Sequence, residues 1–127
     1  MKTLIVDDEM MGRAMLAMFL EEFGECEEAD SGDTALKMIE DARSSGAPYD
    51  LVCLDIVMPG MDGKEALRHI RENDQAAGSR TMVFMFSACN SPEDMADAFF
   101  EGDCDDYIVK PFQREGLMAL FERHKLV

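Results

Sequence analysis

The chain predicts a doubly wound α/β domain, with a five-stranded parallel sheet covered by helices on both faces. Three observations support this. Strand-like and helix-like segments alternate five times along 127 residues, the pattern of successive βα units. The run Leu51-Val52-Cys53-Leu54 is wholly apolar before Asp55, as suits a strand buried on both faces. Pro59-Gly60 and Asp62-Gly63 then supply turn chemistry, so the chain leaves the sheet soon after Asp55. Asp55 therefore ends a central strand, at the edge where open α/β sheets gather ligands.

Thr3–Val6 forms the first predicted strand. A helix from Met11 to Phe23 follows, with Leu16, Leu20 and Phe23 at helical spacing. Ala14, Met15, Ala17, Met18 and Phe19 widen its apolar stripe beyond what one sheet face needs. That leaves two readings, a deeply packed helix or an exposed Met/Phe patch for a partner. The acidic segment Glu25–Ala29 suits an edge strand, where charge discourages sheet-to-sheet association. Ser31-Gly32-Asp33 opens a second helix with Ala35, Leu36, Ile39 and Ala42 inward, and residues 44–48 form a loop. A third helix starts near Lys64, capped by Asp62 or Gly63, with Leu67 and Ile70 inward and Arg68 and Arg71 outward. Residues 74–80 read as a loop without chemistry. The strand Thr81–Phe86 runs into Ser87. Ser91-Pro92-Glu93-Asp94 then starts a fourth helix, with a capping serine, a first-turn proline and two acids at the positive dipole end. It ends near Glu101-Gly102, and Asp103 tolerates a left-handed cap there. The strand Tyr107–Val109 runs into Lys110-Pro111. A last helix follows Phe112, with Leu117, Leu120 and Phe121 on one face and Arg123, His124 and Lys125 at its negative end.

A hydrophobic fraction of 47% argues against disorder, and the length fits one domain. No apolar run is long enough for a membrane span, and Met1-Lys2-Thr3 enters a strand without a signal-peptide pattern. A cytoplasmic location and no membrane insertion are expected. The net charge of −15 opposes direct nucleic-acid binding, which needs clustered Lys and Arg. Cys26, Cys53, Cys89 and Cys104 show no C-x-x-C spacing and read as free thiols. Twelve methionines are many for this length, and adaptable core filling is the favoured explanation over a sticky surface.

The strand endings converge on chemistry. In one parallel sheet, Asp7-Asp8, Asp55, Ser87 and Lys110 meet at a single edge. Any one of them is an ordinary polar terminus; the set is not. Close carboxylates repel by roughly 4 kcal/mol per pair at an effective dielectric near 20, so such a group calls for a cation, and all-oxygen ligands suit Mg2+. Asp8 and Asp55 are the expected direct ligands, with Asp7 acting through water. Asp55 is the candidate nucleophile, with Lys110 and Ser87 stabilising a transferring phosphoryl group. Lys110 paired to a carboxylate also has a purely structural reading.

Over essentially its whole length the chain resembles a response-regulator receiver domain. The matching residues are Asp7-Asp8, Asp55 with Met58-Pro59-Gly60-Met61-Asp62-Gly63, Ser87-Ala88, and Asp105-Asp106-Tyr107-Ile108-Val109-Lys110-Pro111-Phe112. The resemblance implies a flavodoxin-like (βα)5 fold of strand order 2-1-3-4-5. It implies phosphorylation of Asp55 by a histidine kinase or phosphotransfer protein docking beside the first helix, and Mg2+ also held by the Val57 carbonyl. It implies a cis bond before Pro111 with Lys110 turned inward, and a switch in which Ser87 moves toward the phosphoryl oxygens and the Tyr107 ring moves inward. The face changed by that switch includes Met95, Phe99 and Phe100. Val57 and Cys89 would flank the water that hydrolyses the acyl phosphate; neither orients water well, so a long-lived phosphoryl state is expected.

Residues 1–127 are thus expected to be one receiver domain without an output domain. It would act as a signalling switch on an unknown downstream protein rather than as a turnover enzyme. The alternatives are a phosphorelay intermediate or a phosphorylation-independent binding module. A haloacid-dehalogenase-type phosphatase needs a second acid two positions beyond its nucleophile, where this chain has Val57. A flavodoxin needs a hydroxyl- and glycine-rich loop after the first strand, where this chain has Asp7-Asp8-Glu9.

Overall fold

The strands alternate their side chains between two apolar layers, and this places the helices. In the computed structural model, which describes residues 1–88 and 103–127, the strands are β1 (Lys2–Val6), β2 (Glu25–Ala29), β3 (Leu51–Asp55), β4 (Val83–Ser87) and β5 (Asp106–Val109). They form one sheet in the order β2-β1-β3-β4-β5, with all four pairings parallel. Every residue of β3 and β4 is buried, as central strands covered on both faces require. The helices are α1 (Met10–Leu20), continued by a 3-10 turn over Glu21–Phe23, then α2 (Gly32–Ser44), α3 (Gly63–Ala77) and a C-terminal helix (Arg114–Arg123).

Leu4, Val6, Val52, Leu54, Val83 and Met85 face α2 and α3, where Ala35, Ile39, Leu67 and Ile70 meet them. The alternate residues Ile5, Leu51, Cys53, Phe84 and Phe86 face α1 and the C-terminal helix, against Leu16, Leu20, Leu117 and Phe121. Each fully buried Leu, Ile or Phe contributes about 1.5–3 kcal/mol over an exposed one, so the period-two pattern holds both layers in register. Ser31 caps α2 by accepting from the Thr34 N–H, and Asp62 caps α3 by accepting from the Glu65 N–H. The acidic strand β2 is an edge, as its composition suggests. Asp103 has the left-handed backbone expected of it, at φ 57°. The predicted fourth helix, with Met95, Phe99 and Phe100, and Cys89 with it, lie outside the described residues. No described helix is long and apolar enough to cross a membrane.

Three features of the structure differ from what the sequence predicts. Residues 74–77 belong to α3, which ends at a left-handed Gly78, so Asp74 is not in a loop. Arg71 does not point outward. Its guanidinium binds Asp74 at 2.8 Å, the Thr81 carbonyl at 2.6 Å and Asp105 at 3.1 Å. Asp74 is only 4% exposed; it also binds Arg43 and accepts from the Thr81 N–H and Oγ1. These partners tie the ends of α2 and α3 to the starts of β4 and β5. The methionines are the third difference. Met58 and Met85 fill the core, but Met10, Met11, Met15 and Met18 are 60–75% exposed. The outer stripe of α1 is therefore a bare thioether surface, not a packed one.

Candidate functional site

The carboxyl ends of the four neighbouring strands β1, β3, β4 and β5 set the site. Asp7 directly follows β1, and its N–H extends the ladder to the Ala29 carbonyl at 3.1 Å. Its Oδ1 accepts from the Glu9 N–H at 3.0 Å. Asp55 ends β3, and the next residue, Ile56, donates to the Phe86 carbonyl at 3.0 Å. The loop beyond then folds back, with the Gly63 N–H donating to the Ile56 carbonyl at 2.7 Å. A Cβ on Gly63 would lie 2.2 Å from the Asp55 carbonyl oxygen, so this return requires glycine. Ser87 ends β4 with no exposed surface, and its carbonyl accepts from the Lys110 N–H at 2.8 Å. The Lys110–Pro111 bond is cis.

Asp7, Asp8 and Asp55 offer oxygens that all lie within 4.8 Å of one another. Asp7 and Asp55 are 6% and 8% exposed, whereas Asp8 faces solvent. Lys110 Nζ lies 3.1 Å from Asp7 Oδ2 and 3.4 Å from Asp55 Oδ2. Burial pushes the Asp55 carboxyl up to about 6 against the pull of Lys110, and neighbouring Asp7 adds to the rise. Burial works against the charge on Lys110, but its contacts with Asp7 and Asp55 raise it above the ordinary lysine value. At neutral pH Asp55 is therefore an ionised, poorly solvated carboxylate beside an ammonium. Three hard oxygen donors around one side chain's positive charge fit a divalent cation of the Mg2+ type.

The structure thus brings together Asp7, Asp8, Asp55 and Lys110, with Ser87 at the adjoining strand end. Val57 is 69% exposed beyond Asp55. Tyr107 is 8% exposed and belongs to the apolar layer on the α2–α3 side of the sheet.

Two further contacts shape the site that the strand endings did not reveal. Arg13 donates to the Asp7 carbonyl at 2.8 Å and pairs with Glu28 at 3.0 Å. The available signal was its place as the one charged residue of α1. Gly12 lies against the Asp7 carboxylate, where a Cβ would come within 2.3 Å of Oδ2. No sequence pattern marks that approach.

Comparison with known proteins supports the fold and identifies the family. The family model of the response regulator receiver domain matches residues 3–122. The chain is 37% identical over 125 residues to chemotaxis protein CheY of Listeria monocytogenes, covering 97% of each chain. It is 42% identical over 112 residues to the transcriptional regulatory protein ResD of Bacillus subtilis, 87% of this chain but 42% of that protein's length. Among solved structures, a chain of the CheX-CheY-BeF3-Mg2+ complex from Borrelia burgdorferi superposes with a TM-score of 0.83 at 27% identity, over 97% of this chain and 88% of that one. With the strand order and the matched segment both in place, the chain belongs to the response-regulator receiver family of two-component signalling.

Proposed function

We propose that this receiver is a phosphorylation-controlled switch that accepts a phosphoryl group on Asp55 from a histidine kinase or phosphotransfer partner. The observation that carries the reading is a buried aspartate at a strand end, 3.4 Å from Lys110 and within 4.8 Å of two further carboxylates. An Asp55 oxygen attacks phosphorus in line, a P–O bond forms, and the bond to the donor's imidazole nitrogen breaks; the leaving imidazole takes up a proton. Lys110 faces one phosphoryl oxygen and the Ser87 hydroxyl another, so both stabilise charge that develops during transfer. Asp8, Asp55 and the Val57 carbonyl would hold Mg2+, with Asp7 acting through a water. When bound, the ion neutralises charge on the phosphoryl oxygens. The Borrelia relative crystallised with Mg2+ supports this choice of ion. The domain's catalysis is confined to its own phosphorylation and dephosphorylation.

The exposed stripe of Met11, Met15 and Met18 on α1, beginning three residues beyond Asp8, is the surface that receives the phosphodonor. Thioethers adapt to a partner's shape at little cost. Once the phosphoryl group is present, new contacts to Ser87 favour a second arrangement of Ser87 and Tyr107. A downstream protein reads that arrangement, in the cytoplasm.

Incubation with Mg2+ and a small phosphodonor should add one phosphoryl mass. Asp55→Asn should add none; a variant that still gains the mass overturns the assignment. The same measurement followed over time reads the lifetime. Val57 is apolar and exposed, and offers an attacking water no hydrogen bond. Replacing Val57 with Asn and Cys89 with Glu should hasten loss of the group by about tenfold or more. An unchanged decay without partner would show that water positioning there does not set the lifetime.

A further inference from the structure

We propose that Gly12 is a positioning residue for Asp7, and through it for the cation site; the inference rests on the Mg2+ reading above. Glycine is a poor helix former, yet it occupies the first turn of α1. The reason lies across from it. A Cβ on Gly12 would sit 2.3 Å from Asp7 Oδ2 and 3.2 Å from Asp7 Cγ, closer to the oxygen than real side chains approach. A flexible side chain could swing aside, but this one is held. Its Oδ1 takes the Glu9 N–H at 3.0 Å, its Oδ2 takes Lys110 Nζ at 3.1 Å, and the residue is 6% exposed.

The helix is no freer to yield. Leu16 and Leu20 are buried in the layer beneath it, and Arg13 ties it to the Asp7 carbonyl and to Glu28. A methyl group at position 12 therefore moves the Asp7 carboxylate by several tenths of an ångström. That movement breaks its alignment with Lys110 and with the oxygens of Asp8 and Asp55. Gly12, Asp7, Asp55 and Lys110 line one and the same cavity, so a shift of the Asp7 carboxylate is felt at the other site residues. The absence of a side chain at Gly12 thus lets α1 lie against Asp7 while the carboxylate stays in register with its neighbours.

The test is Mg2+ titration by calorimetry on four chains: the parent, Gly12→Ala, Asp7→Ala, and the two combined. Gly12→Ala should weaken Mg2+ by about tenfold, the scale of lost support around a metal. In the Asp7→Ala background it should change affinity by less than about twofold, because the clashing carboxylate is gone. Gly116→Ala in the C-terminal helix is the control. Nothing lies within 4 Å of a Cβ there, so it should raise the melting temperature and leave Mg2+ binding alone. An equal effect of Gly12→Ala in both backgrounds, or no effect in either, overturns the positioning role. A parent that binds no Mg2+ overturns the cation reading and this inference with it. Should Gly12→Ala alone not fold, a double variant as stable as Asp7→Ala supports the contact, and one that also fails overturns it.

Discussion

Two clusters of three aspartates stand at opposite ends of the sheet. At the amino end, Asp74, Asp103 and Asp105 meet Arg43, Arg71 and Arg80, and Thr81 gives Asp74 two more hydrogen bonds. Each carboxylate has a matching guanidinium. At the carboxyl end, Asp7, Asp8 and Asp55 crowd within 4.8 Å, and Lys110 pairs with two of them. The same residue type serves opposite ends because charge balance differs. A matched cluster is finished and holds elements together. An undermatched one is what the proposed function calls for: carboxylates left over for a cation, and an ammonium to face the phosphoryl oxygens. The Asp55 carboxyl is raised to about 6, chiefly by burial and to a lesser degree by the neighbouring Asp7.

The sharpest way to break the comparison is to remove the centre of the matched cluster. Asp74→Ala leaves Arg43 and Arg71, whose side chains are 18% and 14% exposed, without their shared carboxylate. Breaking a buried pair from one side costs about 3–5 kcal/mol, so urea unfolding should show a loss of that order. Phosphorylation of whatever remains folded should be unaffected. A loss below about 1 kcal/mol would mean that the cluster is no more than surface decoration.

The opposite sign is expected at the other end. The Asp55 carboxyl titrates near 6 when folded, against an ordinary 3.8. Between those values the folded chain keeps a proton that the unfolded chain has lost. Stability therefore falls as pH rises from about 4 to about 6 and is level above that, with a total of about 1–3 kcal/mol. Asp55→Asn should remove this slope and be the more stable chain at pH 7, as should Mg2+ added to the parent. Thermal melts of both chains across the window check it; parallel curves would show that Asp55 is not strained.

The carboxyl-end cluster was legible in the sequence and the amino-end one was not, for a physical reason. Parallel strands bring their carboxyl ends to one edge, so polar residues after apolar runs are placed by topology alone. Asp7, Asp55, Ser87 and Lys110 follow from that. Arg43, Arg71 and Asp74 sit on helices, where a charged residue reads as solvent-facing. The missed signal was spacing. Asp74 lies four residues beyond Ile70 and seven beyond Leu67, on the buried stripe of α3, and Arg43 lies four beyond Ile39 on α2. Opposite charges at the ends of two core stripes predict a bridge. The exposure of the α1 methionines was open for a different reason. Apolar spacing cannot tell which of two stripes on an over-wide face meets the sheet.

The smallest effect separates the rim of the matched cluster from its centre. Arg80 binds Asp103 and Asp105 at 3.0 Å each, but its side chain is 50% exposed and that of Asp103 is 61% exposed. Asp105 does not depend on it, since Arg71 holds the other carboxylate oxygen at 3.1 Å and the Val83 N–H donates to that same oxygen at 2.8 Å. Removing Arg80 therefore strands no buried charge. What is lost is the worth of exposed ion pairs, under about 1 kcal/mol. Exposed pairs are screened once the Debye length shrinks to about 3 Å near 1 M salt, so the cost of Arg80→Ala should fade as salt is added. The cost of Asp74→Ala should persist, because those partners are shielded from the solvent ions. Urea unfolding of both variants at low and high salt reads the difference. Equal salt sensitivity would merge rim and centre into one exposed network and remove the contrast between the two ends of the sheet.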